Sequence, residues 1–216
     1  MVLCYFSTFL KPTIMKTTIT TLLLLLAGVT LNAQANDKGD ITIAPLLGVA
    51  FSTYSSSEDV SFDARTAIAA GATVDFYLSD RWSLRSGLSY APYGAEDDFG
   101  NVDKINYLKI PLNANWHFGG KRNWYLNFGF SANVLLNAKG ELEDGQEIDL
   151  EDFIEPFDLG LDLGIGYKFY ISEDVQFYGE YQGYTGFLNL LDVGPDVDVE
   201  LRNAASIFNV GVILKL

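Results

Sequence analysis

The segment Phe157–Phe169 alternates without a break. Its odd positions are Phe157, Leu159, Leu161, Leu163, Ile165, Tyr167 and Phe169, and its even positions are Asp158, Gly160, Asp162, Gly164, Gly166 and Lys168. Side chains of a β-strand point to opposite faces in turn, so this segment sets a wholly apolar face against a small or charged one. Seven further segments follow the same rule: Ile41–Phe51, Thr66–Leu78, Trp82–Tyr90, Ile105–Phe118, Trp124–Leu136, Val175–Tyr184 and Ser206–Leu216. In Ile105–Phe118, for example, Leu108, Ile110, Leu112, Ala114, Trp116 and Phe118 oppose Lys109, Asn113, Asn115 and His117. The prediction is eight strands of about 9–13 residues, the length a tilted strand needs to cross a bilayer.

The connections carry a second signal. Ser52–Arg65, Ala91–Lys104, Asn137–Asp152 and Thr185–Ala205 are long, and Ser79–Arg81, Gly119–Asn123 and Tyr170–Asp174 between them are short. Strict alternation of long and short is the layout of an up-and-down barrel with brief turns on one rim and extended loops on the other. Aromatic residues gather near the short turns (Phe76, Trp82, Trp116, Phe118, Trp124, Phe169, Phe177) and near the long loops (Phe51, Tyr90, Phe157, Tyr181, Phe208), as two interfacial girdles would. The expected fold is therefore all-β, an eight-stranded antiparallel up-and-down transmembrane β-barrel. A closed barrel satisfies every backbone polar group inside lipid. The competing fold is a soluble lipocalin-type barrel with its apolar face turned inward. The Gly, Ala, Ser and Asn of the polar face make a poor water-facing surface and suit a crowded interior, which favours the membrane barrel. Pro45 and Pro111 fall inside strands, and a bulge is expected at each.

Residues 1–35 read as an address. Met15-Lys16 opens a basic stretch, Leu22–Leu31 is a ten-residue apolar run, and Ala33-Gln34-Ala35 has the small-x-small pattern of a cleavage site. The run is too short to span a bilayer as a helix. Met15 is the better start, which makes residues 1–14 an over-extension, and residues 36–216 form the barrel domain. The lone Cys4 lies in that extension, so a disulfide scaffold and a cysteine metal site are excluded.

The net charge of −14 disfavours nucleic acid. The acidity is local. The four long connections hold 18 acids against Arg65, Lys104, Lys139 and Arg202. Such loops read first as a solvated outer surface. A cation site for Ca²⁺ is the sharper reading: Asp192, Asp196, Asp198 and Glu200 alternate, and Glu141, Glu143 and Asp144 sit beside Gly145, although neither stretch fits an EF-hand. A bound cation would also bridge the loops to lipopolysaccharide phosphates.

Several stretches resemble a known family. Tyr107-Leu-Lys-Ile-Pro-Leu112, Asp158–Phe169 with its Gly164-Ile-Gly-Tyr-Lys-Phe169, and Thr185-Gly-Phe-Leu-Asn189 occur in the order seen in the small outer-membrane β-barrels of Bacteroidetes-type bacteria often labelled PorT-like. The resemblance spans nearly the whole exported chain. It implies an eight-stranded barrel in the outer membrane, reached in this reading through the cleaved signal peptide of residues 1–35, and it does not imply membership of a secretion machine. The C-terminal Asn209, Gly211, Leu214 and Leu216 resemble the signal read by the barrel-assembly machinery, except that Leu216 replaces the usual aromatic.

Catalytic chemistry is poorly represented. The single histidine, His117, is expected to face the lumen as a hydrogen-bonded filler, and no nucleophile–base arrangement surrounds it. The predicted lumen gathers Asp75, Asp158, Asp162 and Glu180 with Arg85, Lys109, Lys168 and Lys215. Charges in a low-dielectric interior must pair, and eight strands enclose a space that side chains can fill. The expectation is a structural or interaction barrel with a packed, salt-bridged lumen, surrounded by lipid and lipopolysaccharide, with no enzyme activity. A narrow porin-like channel or a secretion-associated component is the alternative.

Overall fold

The computed structural model describes residues 36–56, 60–192 and 200–216. The expected export signal and the expected over-extension lie outside the described residues, as do Asp196 and Asp198. The eight alternating segments all form strands: β1 (Ile41–Ser56), β2 (Arg65–Tyr77), β3 (Trp82–Tyr93), β4 (Val102–Phe118), β5 (Trp124–Glu141), β7 (Phe157–Tyr170), β8 (Val175–Gly186) and β9 (Leu201–Lys215). A short strand, β6 (Glu147–Asp149), folds back onto the end of β5. Each long strand pairs antiparallel with its neighbours, β4 pairs β5, and β1 pairs β9, so the ring of eight closes.

Facing is as the alternation requires. Leu163 is 59% exposed on the outer wall while its neighbour Asp162 is 0% exposed inside. Leu47, Ile68, Leu112, Phe208 and Val210 also face outward, and Arg85, Lys109, Asn127 and Lys168 are buried in the lumen. The soluble alternative needs the opposite arrangement. Closure leaves no strand edge, which is what allows a sheet to stand in hydrocarbon.

On the short-turn side the outer aromatics form a continuous belt. Trp82 stacks on Trp116, Trp116 on Phe118, and Phe118 on Trp124, and Trp124 meets Tyr167 edge-on at 4.8 Å. On the other side Phe208 packs against both Phe51 and Tyr181. These are the two girdles.

The prolines do not sit in bulges. β1 keeps register with β2 through Pro45↔Ala72, and β4 with β5 through Pro111↔Ser131. On the other side of each proline the pairing lapses, to β9 at Ala44–Pro45 and to β3 at Ile110–Pro111. A missing N–H removes a donor toward one neighbour only, so the strand loses bonds on that side without shifting. The register shift between β4 and β5 falls instead between Asn106 and Tyr107, where Leu136 has no partner. Past that bulge Ala138 turns inward and is fully buried.

Strands β1, β3, β4, β5 and β9 run beyond the predicted segments on the long-loop side. What the sequence reads as open acidic loop is partly wall. The connections there are also joined to one another. Asp63 and Glu96 exchange backbone hydrogen bonds of 2.8 and 3.0 Å, and Ile154 bridges Leu191. The Glu143 N–H donates to Asn101 Oδ1. A buried cluster that includes Tyr54, Tyr93, Ile105, Tyr107, Ile154 and Leu190 fills the barrel beneath this crown.

Candidate functional site in the barrel lumen

The lumen side chains are stacked in layers. Asp75 and Arg85 are directly paired positions of β2 and β3. Arg85 grips Asp75 with two nitrogens, Nε to Oδ1 at 3.1 Å and Nη2 to Oδ2 at 3.0 Å. Its third nitrogen, Nη1, reaches Glu180 Oε2 at 2.6 Å. Glu180 stands on β8, the strand diametrically opposite β3 in the ring. One guanidinium thus spans the full bore. A planar fork of donors suits this two-sided grip, which a lysine could not make. Tyr125 Oη and Asn209 Nδ2 also donate to Glu180, and Asn115 Nδ2 donates to Asp75.

The next layer is built on Lys109 of β4, whose ammonium lies 2.5 Å from Asp162 of β7 and 4.6 Å from the ring centre of Tyr184. Asn113 donates to both Asp162 and Asn127. Between these two layers lies a cavity of about 30 Å³ lined by Thr73, Arg85, Lys109, Glu180, Asn209 and neighbours. That is room for one or two water molecules. Further toward the long loops Asp158 accepts from Tyr184 Oη at 2.8 Å and Asn203 Nδ2 at 2.9 Å. Tyr184 stacks on Tyr93 from the opposite wall, and the apolar cluster begins there.

Glycines set where the tyrosines lie. A Cβ on Gly166 would stand 2.2 Å from the Tyr125 ring, and one on Gly160 would stand 2.5 Å from Tyr184. Gly160 and Gly166 of β7 therefore make floor for rings that cross the bore. In the sequence they read only as small.

The expected network forms in part. Asp75, Arg85, Lys109, Asp162 and Glu180 are ion-paired. Asp158 and Lys168 are buried but make no ion pair among the described residues: Asp158 is held by a phenol and an amide, and Lys168 donates to His117 Nδ1 at 3.3 Å. Both stand on β7, ten residues apart at opposite ends of the lumen, so they cannot pair with each other. Lys215 is not in the network either. It lies at the short-turn rim, 2.5 Å from Asp40. Burial alone would push the Asp40 carboxyl up, but the Lys215 bond and the Asp37 amide outweigh it and hold Asp40 below its ordinary value.

His117 is buried and hydrogen-bonded, and its tautomer follows from its neighbours. An ammonium only donates, so Nδ1 accepts from Lys168 and the proton sits on Nε2, which donates to Ser83 Oγ at 3.0 Å. The ring stacks on Tyr77.

In the acidic loops, Glu200 pairs with Arg202 at 2.8 Å, and the Asp192 amide donates to Phe153. Asp196 and Asp198, two of the four residues of the expected cation site, lie outside the described residues. Among the described residues no group of three or more His, Cys, Asp or Glu side chains is placed to hold a metal.

With the closed ring, the outward apolar wall and the charged bore established, the comparisons are decisive for family. The profile of the outer membrane protein beta-barrel domain matches residues 32–192. The chain belongs to that family. Its members are outer-membrane β-barrels, and this chain is one. The outer membrane protein OprG from Pseudomonas aeruginosa superposes with a TM-score of 0.50 at 15% identity, covering 86% of this chain and 99% of that one. Neisserial surface protein A superposes with a TM-score of 0.51 at 14% identity, covering 82% and 97%. At these identities the likeness is one of fold alone. No curated protein matches the sequence.

Proposed function

We propose that this family member is an integral outer-membrane barrel whose lumen is a closed structural core and whose working surface is the acidic crown of long connections. The short-turn rim faces the periplasm and the crown faces outward, the usual sense of such barrels. The observation that carries the reading is the Asp75–Arg85–Glu180 bridge across the whole bore. A solute passing through would have to break a buried, charge-assisted triad and then displace the apolar cluster beneath the crown, and neither yields cheaply. The partners in this reading are lipid around the apolar wall and the barrel-assembly machinery during insertion. The crown's bases are already engaged: Lys104 by Glu141, Lys139 by Glu147, Arg202 by Glu200, and Arg65 by Asn106 and the Tyr93 carbonyl.

Planar-bilayer recording tests the proposal. Purified protein is expected to give no steady single-channel steps. Steady steps that disappear in Arg85→Ala or Lys109→Ala would overturn it in favour of a narrow channel.

A further inference from the structure

At the short-turn end the bore holds Lys168 and His117, with Tyr77 beside them. This end is covered by the segment that leads into β1. Asn36 is buried, and its carbonyl accepts from Arg122 Nη1 at 3.3 Å. The Gly39 amide donates to Tyr77 O at 2.8 Å, and the Tyr77 amide donates to Asp40 O at 2.9 Å. Asp40 is tied to Lys215 from the far end of the chain.

Arg122 holds this cover in place. It comes from the β4–β5 turn, and it reaches the Asp80 carbonyl and carboxylate of the β2–β3 turn at 3.2 Å each as well as the Asn36 carbonyl. Asp37 lies 3.9 Å away. Arg122 is also the one described non-glycine residue with a left-handed backbone, at φ 55°. Gly119 of the same turn also has a positive φ, 87°, which a glycine adopts freely, whereas Arg122 holds its left-handed place with a Cβ. The three-way grip of its guanidinium accounts for that choice.

We propose that Asn36–Asp40 is a stopper for the short-turn mouth, latched by Arg122, and that it closes the Lys168–His117 chamber to the aqueous phase on that side. The chamber does not hold itself shut. Among the described residues Lys168 is a buried ammonium with no carboxylate paired to it, and Gln176 Oε1 is buried there without a partner although Gln176 Nε2 donates to Asn36 Oδ1 at 3.5 Å. Both unsatisfied groups gain hydration if the mouth opens. The closed state therefore depends on the latch, and the stopper is poised to release.

The inference rests on the closed-lumen reading, which the wild-type conductance measurement tests by itself. The stopper is tested in lipid nanodiscs with sulfosuccinimidyl acetate, a water-soluble amine acylator, reading each lysine by mass spectrometry. In the wild type, exposed Lys38 and Lys121 are acylated and buried Lys168 and Lys109 are not. Arg122→Ala and Arg122→Lys remove the three-way grip, and acylation of Lys168 is expected to rise about tenfold or more, as loss of charge-assisted hydrogen bonds allows. Lys109, paired with Asp162 in the layer above, stays unlabelled. Hydrogen exchange at the Gly39 amide accelerates in the same variants. Lys168 remaining as protected as in the wild type would overturn the proposal. So would an equal rise at Lys109, because the whole bore and not one mouth would then have opened.

Discussion

A single side chain organises the bore. Arg85 is fixed by Asp75 on the neighbouring strand and by Glu180 on the opposite one, so its removal leaves two buried carboxylates facing each other without a cation. Arg85→Ala is expected to cost about 3–5 kcal/mol, the usual penalty for breaking one side of a buried pair. The measurement is reversible urea unfolding in detergent micelles. Gly166→Ala is a second residue-scale case. The added methyl meets the Tyr125 ring, which donates to Glu180, so a change of one carbon displaces a member of the bridge. A destabilisation of about 1–3 kcal/mol is expected from overpacking, and Tyr125→Phe in the same background should recover none of it. Such contacts are hidden in the sequence, where Gly166 and Tyr125 lie 41 residues apart on unlabelled strands.

At the scale of elements, the strands were readable and their ends were not. Alternation between apolar and polar residues marks the part of each strand that separates lipid from lumen. Above that level the interior turns apolar around Ile105, Ala138, Ile154 and Ile207, both faces meet protein or water, and the period-two signal fades. That is why β4, β5 and β9 run past the predicted limits. The β5–β6 hairpin is one such hidden element, and Lys139 helps to hold it. The hydrogen bond from Lys139 is the main cause of the lowered Glu147 carboxyl, so this tie is fully present above the ordinary glutamate value of 4.5 and is lost as pH falls through the lower folded-state value. Hydrogen exchange at Gly140 and Ile148, which pair across the hairpin, is expected to quicken relative to the membrane strands below that window. Glu147→Gln should show the quicker exchange already at neutral pH.

At the scale of the whole molecule, the barrel in the proposed reading is closed by several barriers in series: the stopper, the Arg85 bridge, the Lys109–Asp162 layer and the apolar cluster under the crown. Opening one of them leaves the others intact. Arg122→Ala is accordingly expected to expose Lys168 and still give no conductance in planar bilayers. The same serial order explains what could be read from the chain alone. Alternation, loop lengths and the aromatic bands determined the eight-stranded ring, its inside and outside, and the lumen charges apart from Lys215, which was expected inside and lies at the rim, because a strand reports its two environments residue by residue. The sequence also determined that Asp75, Asp158, Asp162, Arg85, Lys109, Lys168 and Glu180 share one interior. It did not determine which of them meet. Partners across the bore are set by ring closure and strand stagger, which no local pattern records, so only the tertiary structure decided that Arg85 spans to Glu180, that Asp158 and Lys168 go without ion partners among the described residues, and that a short segment before the first strand is tied to Tyr77, Arg122 and Lys215.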